Sequence, residues 1–104
     1  MSKHYHKLVR DKIPAIIEAT GKTCRTEILS DDAYLQLLDE QLTEELAEYQ
    51  ESKSLEELAD LLEVMEAVVT ARGYTWEELQ TVKAEKNAAR GGFAEKLLLL
   101  EVSE

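Results

Sequence analysis

Apolar residues recur at helical spacing through the middle of the chain. The first stripe consists of Leu35, Leu38, Leu42, Leu46 and Tyr49. This 3-4 spacing predicts a helix that begins after a cap at Ser30 or Asp31 and ends near Glu51. A second apolar pattern runs from Leu55 to Arg72, and only Ser52-Lys53 separates the two. Because the connection is so short, we expect the two helices to form an antiparallel hairpin.

The second of these helices is apolar around most of its circumference. Its polar strip is narrow and consists of Glu56, Glu63, Glu66 and Thr70. A helix with so little polar surface lies either in the centre of its own core or against a partner chain. The chain has 104 residues, a length at which a core gains from association. We therefore expect a homo-oligomer, at least a dimer.

Turn and cap residues predict two further helices. Pro14 and Gly21 suit the first turn and the end of a short helix over residues 15–20. The sequence Thr75-Trp76-Glu77-Glu78 is a capping box, and the helix it starts should run to about Arg90, before Gly91-Gly92. Residues 22–29 are rich enough in β-branched side chains to form one short strand. The apolar tail after Gly92 is either a strand paired with them or an extension docked on a neighbour.

Together these elements predict a single all-α domain over residues 1–104. We expect a bundle of about four helices, with short peripheral strands at most, that oligomerisation completes. The predicted hairpin is its centre. No repeat, low-complexity tract or linker suggests a second domain.

The hairpin carries two pairs of carboxylates, Glu45 with Glu48 and Glu57 with Asp60. The i, i+3 spacing places each pair on one helix face, about one turn apart. Glu45 falls inside the apolar stripe and Glu48 at its edge, whereas Glu44 points away. Two facing pairs would form an all-oxygen site suited to Mg²⁺ or Mn²⁺.

The same residues have a structural interpretation. Ser54 to Glu57 reads as a capping box in which Glu57 bonds back to the Ser54 backbone. Acidic residues also favour helix starts, and acid-rich helix faces are usually solvated. At this point both interpretations remain open.

The charge balance narrows the choice of partners. There are 22 acidic and 12 basic residues, which gives a formal net charge of -10. Nucleic acid is therefore not expected as a partner, because binding it depends on neutralising phosphates. A single cysteine, Cys24, fits a reducing cytoplasm, and no apolar run approaches the ~20 residues of a membrane span.

Basic residues are concentrated in two places. Lys7, Arg10 and Lys12 lie near the start of the chain, where they either hold phosphates or form ion pairs. The second group, Lys83, Lys86, Asn87 and Arg90, shares one face of the last helix. Cations there also complement the helix dipole, so this face has a structural interpretation too.

Three stretches resemble a known family. EELAEYQESKSLEELADLL is similar to the EExxE and ExxD signature of the MazG-like all-α nucleoside triphosphate pyrophosphohydrolases, a superfamily that includes the phosphoribosyl-ATP pyrophosphohydrolases and dimeric dUTPases. KLVRDKIPAII and KNAARGGF resemble a subgroup of house-cleaning pyrophosphatases. The resemblance covers roughly residues 5–95. The spacer over residues 49–56 is shorter than is usual in the superfamily, so no substrate can be transferred from its other branches.

The resemblance implies an Mg²⁺-dependent enzyme that cleaves a nucleoside triphosphate between the α and β phosphates. The expected metal ligands are Glu45, Glu48, Glu57 and Asp60. Glu48 is the expected general base, with Glu44 as the second choice. Lys86 and Arg90 are the expected phosphate contacts, helped by Lys83 and Asn87, with Lys7, Arg10 and Lys12 as weaker candidates.

The alternative from a different class is a non-catalytic acidic helical dimer with a structural or regulatory role. A di-iron bundle is a third interpretation, but such sites use Glu-x-x-His, and neither histidine lies on the carboxylate helices.

Overall fold

A computed structural model of the chain describes residues 6–103. This part contains four helices: α1 Ile13–Ala19, α2 Asp31–Ser52, α3 Leu55–Ala71 and α4 Trp76–Arg90. It contains no strand, so the all-α prediction is confirmed and the short strand expected over residues 22–29 is wrong. A strand needs a neighbour to pair with, and residues 93–103 offer none because they have no regular secondary structure either.

Side-chain caps fix where the three longer helices begin. Ser30 Oγ accepts a hydrogen bond from the Ala33 amide at 3.3 Å. At the start of α4, Thr75 Oγ1 accepts from the Glu78 amide at 3.1 Å, and the Glu78 carboxylate accepts in return from the Thr75 amide at 3.2 Å. This reciprocal capping box was predicted. Each such cap is worth about 1 kcal/mol.

The hairpin turn between α2 and α3 depends on one strained residue. Lys53 ends α2 in the left-handed conformation, with φ 58°. Its amide donates to the Tyr49 carbonyl at 2.7 Å, which closes the last turn of α2. A non-glycine residue in this region costs about 1 kcal/mol, so packing between the helices must hold it there.

Helices α2 and α3 make most of the tertiary contacts of the chain. Residues earlier in α2 contact the end of α3, and residues later in α2 contact its start. Asp39 of α2 accepts from Arg72, just after α3, at 3.0 Å, while Glu45 lies beside Glu57 at the start of α3. The predicted antiparallel hairpin is therefore present. By contrast, α4 touches α3 only lightly.

The chain leaves much apolar surface open to solvent. Leu38 is the one buried hydrophobic residue in the described part of the chain, whereas Leu55, Leu58, Leu62 and Met65 form an exposed stripe along α3. The accessible surface is 9802 Å², against about 5,900 Å² for a compact protein of this mass. The radius of gyration is 18.8 Å, against about 13 Å. No helix of residues 6–103 is both long and apolar enough to cross a membrane.

This surface generates a prediction about assembly. Exposing the α3 stripe costs about 25 cal/mol per Å², so we expect sedimentation at low micromolar concentration to show a dimer or larger species. Leu62→Glu, which places a charge on the stripe, should dissociate it. Gln50→Glu adds the same charge at an exposed position of α2 and should leave the assembly intact. A stable folded monomer of the unmodified chain would contradict the prediction.

Candidate metal centre

Three carboxylates meet where the start of α3 crosses α2. Glu45 comes from α2, and Glu57 and Asp60 come from the first two turns of α3. One oxygen of each lies within 4.8 Å of one oxygen of both others. The i, i+3 spacing puts the α3 pair on one face, and the antiparallel hairpin brings that face against α2. The predicted convergence of acidic residues from two helices is thus observed for three of the four.

Two of the carboxylate oxygens lack a partner. Glu45 Oε2 and Glu57 Oε2 are both buried from solvent, and neither has a hydrogen-bond partner in the described part of the chain. A buried oxygen anion without a donor is unfavourable unless a cation or a proton satisfies it. The donor set therefore fits a hard divalent cation, which takes carboxylate oxygens as ligands.

Burial raises the pKa of Glu45 above its ordinary value. A hydrogen bond from Gln41 opposes the rise, and repulsion from the neighbouring Glu48 and Asp60 carboxylates adds to it. Because the pKa of Glu45 is higher in the folded state than in the unfolded state, protonation of Glu45 favours folding. In the absence of metal, this contribution to stability is present at low pH and is lost as pH rises through the folded-state pKa.

Gln41 is a site residue that the sequence analysis did not identify. Its Nε2 donates to Glu45 Oε1 at 2.8 Å, and both residues are partly buried. The bond holds Glu45 Oε1, whereas Glu45 Oε2 has no donor among the described residues. The i, i+4 spacing from Gln41 to Glu45 is the signal that could have identified it, but an uncharged glutamine before an acidic motif does not by itself indicate a metal site.

Of the two hydrogen bonds of the predicted Ser54–Glu57 capping box, one is present among the described residues. Ser54 Oγ accepts from the Glu57 amide at 3.2 Å. The reciprocal bond of a capping box is not among the hydrogen bonds of the described residues, because the Ser54 amide donates to Ser52 Oγ at 3.3 Å instead. The Glu57 carboxylate is consequently not used as a cap.

The other two predicted acidic residues lie at the margin. Glu48 is exposed and close enough to Glu45 to repel it and to accept a hydrogen bond from its protonated form, but it is outside the group of three. Glu44 is exposed and pairs with Lys7, with 3.5 Å between Nζ and Oε2. Of the two predicted bases, Glu48 is therefore the one adjacent to the group.

The basic residues are distributed unevenly around the site. Arg10 Nη2 lies 2.7 Å from Asp60 Oδ1, and Lys7 pairs with Glu44, so the N-terminal segment reaches both helices of the hairpin. Lys12 is exposed and has no ion pair in the described residues. The α4 set, Lys83, Lys86, Asn87 and Arg90, is also exposed, and no hydrogen bond or ion pair among residues 6–103 joins it to the carboxylates.

Two surface clefts lie elsewhere on the helices. One, of about 350 Å³, is lined by Tyr34, Glu63, Glu66, Ala67, Thr70 and Ala71. The other, of about 260 Å³, is lined by Val69, Tyr74, Glu78, Leu79 and Val82. Neither includes a member of the carboxylate group, and the acidic lining of the first is unfavourable for phosphates.

Part of the chain is similar to a bacterial protein. A protein of Mycolicibacterium smegmatis (strain ATCC 700084 / mc(2)155), named "Uncharacterized protein", is 52% identical over 42 residues. The match covers 40% of this chain and 43% of that protein, so this chain spans less than half of the relative's length. No protein-family model and no solved structure matches the chain.

The geometry predicts an unusual response to neutralising Glu45. In EDTA, Glu45→Gln should raise the melting temperature by a few degrees because it removes a desolvated, repelled charge and retains an acceptor for Gln41; about 1 kcal/mol corresponds to roughly 4–8 °C in a domain of this size. Excess Mg²⁺ should stabilise the unmodified protein but not the variant. Thermal melts in EDTA and in Mg²⁺ measure both effects.

Glu40→Gln is the matched control, because Glu40 is an exposed residue of α2 that forms no ion pair in the described part of the chain. It should change neither the melting temperature in EDTA nor the response to Mg²⁺. Asp60→Asn is a less clean test, since it also removes the ion pair with Arg10. A lower melting temperature of Glu45→Gln in EDTA, with the Mg²⁺ response intact, would exclude a metal centre.

Proposed function

We propose that this protein is an Mg²⁺-dependent nucleotide pyrophosphohydrolase of the MazG-like type. It would hydrolyse a nucleoside triphosphate between the α and β phosphates to give a nucleoside monophosphate and pyrophosphate. The observation that carries the proposal is the convergence of Glu45, Glu57 and Asp60, with two buried oxygens that have no hydrogen-bond partner among residues 6–103. The EExxE and ExxD motifs and the all-helical fold support it.

The three carboxylates would hold the cation, and Mn²⁺ would serve as a substitute for Mg²⁺. When bound, the cation would supply charge neutralisation at the phosphate oxygens and would lower the pKa of a bound water. No nucleophilic side chain is needed, because water is the attacking group.

Glu48 is the proposed general base. It lies beside Glu45 but outside the group of three, so its carboxylate remains free to take a proton. In the proposed reaction the water oxygen bonds to phosphorus, Glu48 accepts the water proton, and the bond to the pyrophosphate oxygen breaks. Glu44 is less suited to this role because it pairs with Lys7.

Phosphate binding would involve Lys86 and Arg90, with Lys83 and Asn87 on the same face of α4. Their exposure in the single chain leaves them available for a ligand. We further propose a homodimer or larger assembly as the active form, because the α3 stripe is open and neither of the two clefts described above includes a member of the carboxylate group. House-cleaning of non-canonical nucleotides in the cytoplasm is the role that this chemistry suits.

The test is direct measurement of turnover. The protein is incubated with a panel of ordinary and modified nucleoside triphosphates and Mg²⁺, and pyrophosphate and monophosphate are quantified. We expect release of both in equal amounts from at least one nucleotide, and no turnover in EDTA. Glu57→Gln should lower kcat at least about 100-fold. Loss of a residue that only supports a metal ligand already costs up to about 100-fold, and Glu57 is a proposed ligand itself.

Two further variants separate binding from metal loading. Lys86→Ala and Arg90→Ala should lower kcat/KM about tenfold or more, as expected for loss of a charge-assisted hydrogen bond, without changing the melting temperature. Absence of turnover of every nucleotide, together with absence of Mg²⁺ binding by calorimetry, would reject the enzyme and favour a non-catalytic helical dimer.

A further inference from the structure

The segment before α1 lies across both helices of the hairpin. Lys7 pairs with Glu44 of α2 at 3.5 Å, and Arg10 pairs with Asp60 of α3 at 2.7 Å. Between these two cations, Leu8 is half buried. Two ion pairs thus fasten the segment next to the carboxylate group.

Asp60 belongs to two arrangements at once. Its Oδ1 accepts from the Arg10 guanidinium, and one of its oxygens is among the three that converge with Glu45 and Glu57. A guanidinium cannot lose its proton in a protein. A divalent cation bound by the same carboxylate would therefore repel Arg10 and compete for its acceptor.

We infer that Arg10 is a positioning residue whose ion pair with Asp60 opposes divalent cation binding. The inference rests on the proposed metal centre. Arg10 partly neutralises the three carboxylates when no metal is bound. Metal binding weakens the Arg10–Asp60 pair and loosens residues 7–10 from the hairpin.

The consequence for substrate binding concerns the order of events. While Arg10 bonds to Asp60, its guanidinium is committed to a carboxylate. Once a cation has taken over Asp60, the guanidinium can form the bidentate contact with phosphate for which its geometry is suited. Arg10 thus joins the phosphate contacts only after the metal is in place.

The test uses the nucleotide-free protein and Mn²⁺ alone. Titration calorimetry should show Mn²⁺ binding to Arg10→Gln about three- to tenfold more tightly than to the unmodified protein, because a nearby cation and a competing donor have been removed. The difference should shrink in 0.5 M KCl, since both partners of the pair are exposed. Arg25→Gln is the matched control; Arg25 is exposed and has no ion pair in the described residues.

The conservative variant Arg10→Lys supplies a readout that a merely structural role would not move. Arg10→Lys keeps a positive charge opposite Asp60 and should bind Mn²⁺ about as weakly as the unmodified protein does. Glu45→Gln, which lacks one proposed ligand, should bind Mn²⁺ more weakly than either.

The possible results test the role of Arg10 and the proposed metal centre separately. Equal Mn²⁺ affinities of the unmodified protein and Arg10→Gln, or weaker binding by the variant, would overturn the inference and leave the metal centre standing. Absence of Mn²⁺ binding in both proteins would overturn the metal centre and the inference with it. Tighter binding by Arg10→Gln, with unchanged binding by Arg10→Lys, supports the inference.

Discussion

Three carboxylates occupy a position in the α2–α3 hairpin where apolar packing would ordinarily lie. Glu45 takes a place in the 3-4 stripe of α2 that calls for a hydrophobic residue, and α3 brings Glu57 and Asp60 against it. Burial and mutual repulsion raise the pKa of Glu45, while Gln41 and Arg10 are the only side chains of residues 6–103 that donate hydrogen bonds to these carboxylates. Such an arrangement is unfavourable for a structural contact and favourable for a cation.

The hairpin leaves part of the apolar surface of α3 uncovered in the single chain. Its two helices bury Leu38 between them but leave Leu55, Leu58, Leu62 and Met65 on the outer side of α3. Neither α4 nor the segment after it covers that stripe. An accessible surface of 9802 Å² for 104 residues is much larger than a compact domain would expose. This uncovered apolar surface is the observation on which the proposed homodimer rests.

Local signals in the sequence were sufficient to predict the helices. Thr75 and Glu78 form the expected capping box, and Gly91 ends α4 with a positive φ where Gly91-Gly92 predicted an end. The strand over residues 22–29 was predicted from β-branched composition, which cannot show whether a partner strand exists. Ile28, fully exposed, illustrates that composition without pairing does not make a strand.

Helical spacing was sufficient to predict most of the carboxylates of the site, but not which other residues contact them. Helical spacing identified Glu45, Glu57 and Asp60, because i, i+3 positions share a face in any helix. It could not separate Glu48 from the group, since that depends on how closely α3 approaches each turn of α2. The Arg10–Asp60 pair joins residues 50 positions apart, and no local pattern predicts such a contact.

The most direct test of the metal centre is a crystal structure of the protein grown with Mn²⁺, with anomalous scattering recorded at a wavelength where manganese contributes strongly. The account predicts an anomalous peak bonded to carboxylate oxygens of Glu45, Glu57 and Asp60, and the loss of that peak in Glu45→Gln. Crystals that contain Mn²⁺ yet show no peak between these three residues, with Glu45 bonded only to protein groups, would contradict it.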